Sequence, residues 1–330
     1  MSNLDNIGEF QLIDMIKRKI ETASLANHPA TGFELLIGVG DDAAIWKSNS
    51  AFQVQTTDTL VEGVHFLKET STWEDVGWKL AAVNLSDLAA MGAEPICAMV
   101  TLGLPADLDV QIVGSMYDGI LQCCIKHSTQ IIGGDIVKSP NVFLTMSLSG
   151  QCDTFPMSRR AAKSGDVVAV TGCLGSSAAG LRALKSGNTS GLQSLIDAHL
   201  RPNPQINLGR LMHKQGIQCA IDISDGLVAD LSKIGSESGV EIHITASSVP
   251  VSPYLLNSSW SDYLELVLTG GEDYELVFTG DERLVRAVLV NSPGAIIGKV
   301  KKGSPGLVRV FSDNDNDIEL DRLGWDHFLA

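Results

Sequence analysis

Apolar residues recur along this chain in two spacings, and the switches between them mark its elements. Phe10, Ile13, Ile16 and Ile20 fall on one helical face, which predicts an amphipathic helix over 9–20. Leu35 to Val39 predicts a short strand ending in Gly40-Asp41-Asp42. Phe52 to Gln55 alternates as a strand does and ends in Thr56-Thr57-Asp58. Asp75 to Met91 reads as a helix, with Gly92 as its C-cap and Pro95 shortly after. Ile96 to Leu104 is apolar enough for a buried strand, and Asp109 to His127 predicts a second helix. Gln130 to Ile132 predicts a strand ending in Gly133-Gly134-Asp135. Asn141 to Cys152 alternates apolar and polar, the mark of an antiparallel strand.

The pattern then restarts. Asp166 to Thr171 predicts a strand, followed by Gly172-Cys173-Leu174-Gly175 and a helix through Leu184. Cys219 to Ile223 predicts a strand running into Asp225-Gly226 and a helix to Ser238. Val240 to Thr245, Tyr274 to Thr279, Ala295 to Val300 and Leu307 to Phe311 predict further strands. Pro156, Ser158 and a basic pair interrupt the pattern near 153–160, which divides the chain into expected domains 1–152 and 153–330. Domains run to about 100–200 residues, so 330 residues suit two of them. Both halves mix helices with strands, so the expected class is α/β (α+β).

Composition narrows the function. Hydrophobic residues make up 44% and aromatics only 5%, so Val, Ile, Leu and Ala must fill the cores. A formal charge of −15 repels nucleic acid and anionic membrane, and it would repel ATP as well. Any phosphate chemistry must therefore recruit cations. The 6 cysteines form no CxxC pair and sit mostly in apolar text, as reduced core cysteines of a cytosolic protein do. No secretion signal is read at the N-terminus, and no apolar run approaches the roughly 18 residues that span a bilayer.

The position of the acids is the main chemical signal. Asp41, Asp42, Asp58, Asp87, Asp135, Asp222 and Asp225 stand at strand ends, on glycine-rich turns or within apolar helix text. Surface carboxylates scatter along polar faces, whereas carboxylates among Gly, Ala, Val and Ile are buried or half-buried. Charge buried without a partner costs several kcal/mol, and few Lys or Arg lie nearby in sequence. Hard divalent cations are natural counterions, because Mg²⁺ takes oxygen ligands and shares them with substrate phosphates.

Singly, each motif has a plainer reading. Gly40-Asp41-Asp42 also suits a turn, and Thr56-Thr57-Asp58-Thr59 an N-cap, although three hydroxyls around one carboxylate beside His65 suit metal and phosphate. Asn84 and Asp87 share one face of an almost wholly apolar helix, which implies burial. The glycines before Asp135 would let backbone N–H groups approach a phosphate. In Asp222-Ile223-Ser224-Asp225-Gly226 the first carboxylate suits metal, and Ser224 with the helix start suits phosphate oxygens; Asp225 also suits an N-cap. Gly270-Gly271-Glu272-Asp273-Tyr274-Glu275 reads as a strand opening or as a loop of solvated acids. Thr171-Gly172-Cys173-Leu174-Gly175-Ser176-Ser177 resembles a small-residue phosphate loop without the lysine of a GxxxxGK[ST] motif.

Together and in this order, GDDAA, TTDTLVEGVHF, NLSDLAAMGAEP, GGD, ISDGL and GGEDYEL resemble the thiamine-monophosphate kinase family of the aminoimidazole-ribonucleotide-synthetase-like superfamily. The resemblance runs from Gly8-Glu9-Phe10 to Gly324-Trp325-Asp326-His327-Phe328. It implies two α/β domains, the first binding ATP and Mg²⁺ and pairing into a homodimer with a barrel-like core, and a nucleotide cleft beside that interface. It implies several Mg²⁺ ions held by Asp42, Thr56, Thr57, Asp58, Asp87, Asp135, Asp222 and Asp225. It implies ATP contacts from Tyr117, Gly134, Asp135, Arg159 and Ser224, and thiamine-phosphate contacts from His65, Glu272 and Trp325. Around Arg159 the chain reads Ser158-Arg159-Arg160-Ala161, where relatives have Arg-Ser-Gly-Ala, so Arg160 stays open beside it.

The implied reaction is cytoplasmic conversion of ATP and thiamine monophosphate to ADP and thiamine diphosphate, by in-line transfer with no protein nucleophile. A phosphate monoester has its second pKa near ~6 and is largely dianionic at neutral pH, so it needs no strong base. Two rivals stand beside this reading. One is another ATP-dependent enzyme of the superfamily, such as a selenophosphate synthetase, but the first cysteine here is Cys97, inside a strand. The other is a non-catalytic divalent-cation binder, but no EF-hand loop occurs; Asp313 to Asp317 lacks its Gly and final Glu.

Overall fold

The computed structural model describes residues 52–258, 260–290 and 292–325, and before them 15–16, 18–20, 22, 34–37 and 45–47. Asp41 and Asp42, most of the expected helix over 9–20 and the chain beyond Trp325 lie outside the described residues. Glu34–Ile37 (β1) pairs antiparallel with Ile45–Lys47 (β2). The chain divides into two compact units. One runs to Leu88 and resumes over Ala93–Phe155; the other comprises Ala89–Gly92 and the chain from Pro156.

The first unit is built on a four-stranded sheet. Its strands are β3 (Phe52–Val61), β4 (Glu94–Leu104), β5 (Gln130–Lys138) and β6 (Phe143–Cys152), in the order β3-β6-β4-β5. β6 runs antiparallel to both neighbours and β5 parallel to β4. Leu144, Met146 and Leu148 of β6 are buried, while Thr145, Ser147 and Ser149 alternate with them at the other face. That period of two is what the sequence alternation demands. Helices α1 (Trp73–Met91) and α2 (Val110–Lys126) supply the rest of the core.

α1 and α2 cross at glycines. A Cβ on Gly77 would stand 1.9 Å from the Met116 carbonyl oxygen, and one on Gly119 would stand 1.8 Å from that of Glu74. No side chain fits between backbones this close, so these two positions set the crossing distance.

β3 does not end at Gln55. It continues through Thr56-Thr57-Asp58 to Val61, each residue paired to β6 from Phe52↔Cys152 to Val61↔Phe143. β-branched threonines favour the extended ladder over the strand end or N-cap expected there. β5 likewise runs past Ile132 through Gly133-Gly134-Asp135 to Lys138. Its register shifts there: Ala98 faces Ile131 but Met99 faces Gly133. The extra residue, Ile132, is buried, and every later side chain changes face.

The second unit is a six-stranded sheet in the order β12-β9-β11-β7-β10-β8. Its strands are β7 (Val167–Thr171), β8 (Cys219–Asp222), β9 (Glu241–Thr245), β10 (Leu276–Gly280), β11 (Gly294–Lys301) and β12 (Val308–Phe311). β7 is buried at every position, which matches its unbroken apolar text. Helices α3 (Ser176–Ser186), α4 (Gln193–Leu200), α5 (Ile206–Lys214), α6 (Leu227–Ser238), α7 (Pro253–Leu256), α8 (Tyr263–Thr269) and α9 (Glu282–Leu289) complete it. Val168, Val170, Ile221, Leu231, Ile242 and Val277 belong to one continuous core. The expected strand from Tyr274 starts two residues later, because Tyr274 sits at φ 51, outside the extended region.

Gly119→Ala is expected to destabilise the chain by about 2 kcal/mol, the usual cost of overpacking a rigid contact. Denaturant unfolding checks this. An unchanged midpoint would show that the helices can separate freely.

Candidate functional site

The first unit places its functional side chains by the pleat of β3. Thr56 and Asp58 point one way and Thr57 and Thr59 the other. The Thr56 hydroxyl donates to the Asp87 carboxylate from α1. The Asp58 N–H donates to Asn84 Oδ1 at 3.0 Å, and the Asn84 amide donates to the Leu80 carbonyl at 2.9 Å. Asn84 is fully buried, as its apolar surroundings in sequence predict. Thr56, Asp58, Asn84 and Asp87 thus gather oxygen donors on the helix side of the sheet.

Thr57 is divided from them. Its hydroxyl donates to the Met146 carbonyl at 3.1 Å and accepts from Ser147 at 3.3 Å, on the open face. The bulge at Ile132 sends Asp135 to that face too, in register with Thr101, where its carboxylate accepts the Ile136 N–H at 2.9 Å. Adjacency in sequence suggested one cluster; the sheet separates it into two. Gly134 lies hard against β4, where a Cβ would stand 1.9 Å from the Val100 carbonyl oxygen. The pairing of two strands therefore already requires this glycine, apart from any phosphate.

His65 folds back on its own turn, with Nδ1 accepting the Val61 N–H at 3.1 Å, so the ring proton belongs on Nε2. Tyr117 is 3% exposed on the inner side of α2, and desolvation pushes its phenol well above the ordinary value. It is a packing residue here and does not stand with the exposed groups.

In the second unit, β8 ends at the buried Asp222 and leads into Ser224-Asp225-Gly226. The N–H groups of these three residues all donate to one carboxylate oxygen of Asp230, each at 3.1 Å. Asp230 has 0% exposure. Its other oxygen takes Lys233 Nζ at 2.7 Å, and the same ammonium reaches Asp225 at 2.6 Å. Two expectations change. The turn before α6 does not offer its N–H groups to phosphate, because Asp230 consumes them. Nor is Asp225 without a cation, since Lys233 returns to it across two turns of α6. A sequence signal existed: Asp at position 230 and Lys at 233 share the face of α6 that begins at Gly226. Gly226 itself is at φ 124, and a Cβ there would stand 2.8 Å from the Thr269 carbonyl oxygen.

The small-residue loop before α3 is occupied in the same manner. Asp273 accepts the Gly175 N–H at 2.7 Å and the Ser177 N–H at 3.1 Å. Glu275 accepts the Thr171 hydroxyl and the Gln205 amide, the latter at 3.2 Å. Desolvation pushes both half-buried carboxyls up to about 7, against the lowering effect of these donors. They are structural acids, not the solvated loop the text allowed.

Backbone bonds draw the remaining residues onto this turn. The Glu272 N–H donates to the Ser224 carbonyl at 2.8 Å, and the Trp325 N–H donates to the Asp225 carbonyl at 2.9 Å. The indole of Trp325 is 46% exposed. Glu272, Ser224, Asp225 and Trp325 therefore stand together, although the chain separates them by 100 residues (Asp225 to Trp325). Arg160 gives its guanidinium to Glu237 at 2.8 Å, while Arg159 leaves its side chain exposed. Among the described residues no three His, Cys, Asp or Glu side chains form a metal cage. The fit to a cation rests instead on the hard oxygen character of Thr56, Asp58 and Asp87, which suits Mg²⁺.

Residues 40–152 match the family model described as AIR synthase related protein, N-terminal domain, and residues 163–310 match the corresponding C-terminal domain. The thiamine-monophosphate kinase of Aquifex aeolicus is 36% identical over 331 residues, 98% of this chain and 99% of that protein. Among solved structures, thiamine-monophosphate kinase from Stenotrophomonas maltophilia is similar with a TM-score of 0.79 at 34% identity, over 94% of this chain and 98% of that one. AaThiL complexed with AMPPCP and TMP is similar with a TM-score of 0.77 at 34% identity, over 99% of each chain.

Asp230→Asn should loosen the turn before α6. Removing one partner of a buried ion pair costs about 3 kcal/mol, and amide exchange at Ser224–Gly226 should accelerate selectively. Uniform exchange changes would place the anchor elsewhere. The buried acids give a pH signature. The folded state holds a proton on Glu275 up to about pH 7, whereas the unfolded chain releases it near the ordinary 4.5. That contribution is present at low pH and is lost as pH rises through this window, by at most about 1.4 kcal/mol per unit. The melting-curve stability of the native chain relative to Glu275→Gln should therefore fall from pH 5 to 7 and level off above. A flat difference would contradict the shift.

Proposed function

The chain belongs to the thiamine-monophosphate kinase family of the AIR synthase related proteins, and from that premise we propose that it transfers the γ-phosphoryl group of ATP directly to thiamine monophosphate, yielding thiamine diphosphate and ADP. The observation that supports this most is the joint position of Glu272, Ser224, Asp225 and Trp325 on one rigid turn. These side chains suit an acceptor that is cationic at one end and anionic at the other. Glu272 complements the thiazolium charge, and the exposed face of Trp325 adds a cation–π contact worth about 0.5–2 kcal/mol.

The acceptor phosphate is already largely ionised at neutral pH, its second pKa being ~6, so the chain supplies no nucleophile and no strong base. The task of its residues is to bring two anions together. Arg159 would offer its exposed guanidinium to the ATP phosphates, and the Ser224 hydroxyl would donate to them as well. Asp58 and Asp87, with the Thr56 hydroxyl, would hold Mg²⁺; Asp135, Asp222 and Asp225 are the further ligands that the family resemblance proposes. Bound there, Mg²⁺ ions offset the phosphate charges and stabilise the loose, in-line transition state. His65 is proposed on the thiamine side, where its Nε2–H donates. Two copies pairing through the open, hydroxyl-rich face of the first sheet would form the homodimer. No helix among the described residues is long and apolar enough to cross a membrane.

Incubation with ATP, Mg²⁺ and thiamine monophosphate should give thiamine diphosphate in step with ADP, and EDTA should abolish both. Asp87→Asn should lower turnover by more than about 100-fold, as loss of a group stabilising transition-state charge does, with an unchanged melting temperature. ADP without thiamine diphosphate would move the acceptor elsewhere. Full activity of Asp87→Asn at saturating Mg²⁺ would remove Asp87 from the metal scaffold.

A further inference from the structure

The loop Gly270–Glu275 holds two non-glycine residues in the left-handed region, Glu272 at φ 67 and Tyr274 at φ 51. Such backbones cost about 1–3 kcal/mol each and persist where surrounding contacts impose them. At Glu272 the result is a carboxylate aimed at a buried histidine. Oε2 of Glu272 lies 3.3 Å from Nδ1 of His199, and the Ser177 hydroxyl lies 3.1 Å from the same nitrogen. His199 is 5% exposed and Ser177 is fully buried. Both stand on helices that cannot shift easily, since a Cβ on Gly180 of α3 would meet the Leu195 carbonyl of α4 at 2.1 Å.

A carboxylate only accepts hydrogen bonds, so Nδ1 must carry a proton to bond Glu272. We infer that His199 is a positioning residue for Glu272: its Nδ1–H, shared between the Ser177 hydroxyl oxygen and the carboxylate, holds Glu272 in the orientation that receives the cationic end of the acceptor. This rests on the reading of Glu272 given above and extends it to a residue that touches no substrate. A hydrogen bond to a charged group contributes about 1.5–3 kcal/mol, which corresponds to roughly tenfold or more in affinity.

The test compares His199→Asn, whose amide nitrogen falls where Nδ1 was, with His199→Gln and His199→Leu, and includes Glu272→Gln and the double variant Glu272→Gln/His199→Leu. His199→Leu is expected to raise KM for thiamine monophosphate about tenfold, leaving kcat and KM for ATP within about twofold. His199→Asn should restore the native KM and His199→Gln should not. The double variant should be no worse than Glu272→Gln alone. If Glu272→Gln raises that KM while His199→Leu does not, His199 has no such role and the reading of Glu272 stands. If Glu272→Gln leaves KM unchanged, the reading itself fails and the inference with it. A His199→Leu chain that does not fold leaves the Asn and Gln variants to decide: equal KM values in the two would overturn the inference, as would equal losses for both substrates.

Discussion

Backbone N–H groups at the start of a helix have no carbonyl within the helix to receive them, and with the helix dipole they attract anions. In the second unit of this chain the anions are its own. Asp273 caps α3 through Gly175 and Ser177, and Asp230 gathers three successive N–H groups in the turn before α6. The surrounding structure depends on the second of these. Once Asp230 holds the N–H groups of Ser224, Asp225 and Gly226, the Gly226 carbonyl takes the Asp230 N–H, and Glu272 and Trp325 hang from the carbonyls of Ser224 and Asp225. Lys233 then offsets part of their negative charge by serving Asp230 and Asp225 together.

The consequence for phosphate chemistry is specific. Many phosphate sites use free helix N-termini. Here the two most suggestive loops have given theirs away, in a chain whose formal charge is −15. Phosphate attraction in this unit then falls to point charges rather than to free helix N-termini, and Arg159 is an exposed one. In the first unit the half-buried Asp58 and Asp87 stand beside Thr56 and Asn84, where the Thr56 hydroxyl offsets part of the desolvation cost that the Asp87 carboxylate carries.

The fold was legible where a period was sustained. α1, α2, β4, β6, β7 and α6 emerged within a few residues of their bounds, because each presents a long stripe or an unbroken apolar run. Short helices such as α4, α5 and α9 were lost in polar text, since eight or nine residues give barely two turns of periodicity. Thr56-Thr57-Asp58 and Gly133-Gly134-Asp135 were expected to close their strands, and the ladder carries both strands onward; whether a strand continues depends on a partner that local sequence does not name. The site was legible as a set of acids but not in its division of labour. Asp230 left a faint signal in its spacing from Lys233 on α6, but nothing local to Asp273 announces that it caps the loop before α3, because the capped residues lie about 100 residues away. Tyr117 shows the same in reverse: its helix is legible, but its burial is decided by packing that local sequence does not name.

The strain at Glu272 and Tyr274 completes the physical picture. A left-handed glutamate would relax if its neighbours allowed it, and each neighbour is tied. The Glu272 and Tyr274 N–H groups bond the Ser224 and Ile223 carbonyls, Ile223 bonds back to the Glu275 carbonyl, and Asp273 between them is locked onto α3. Four constraints act on four consecutive residues, so the cost is spread over a structure that is stable for other reasons. In this left-handed conformation the Glu272 carboxylate stands 3.3 Å from His199 Nδ1. Rigid placement of a single charge matters most when the ligand has charges of both signs. A mobile carboxylate would repel the phosphate end of such a molecule nearly as much as it attracts the cationic end, whereas a fixed one separates the two.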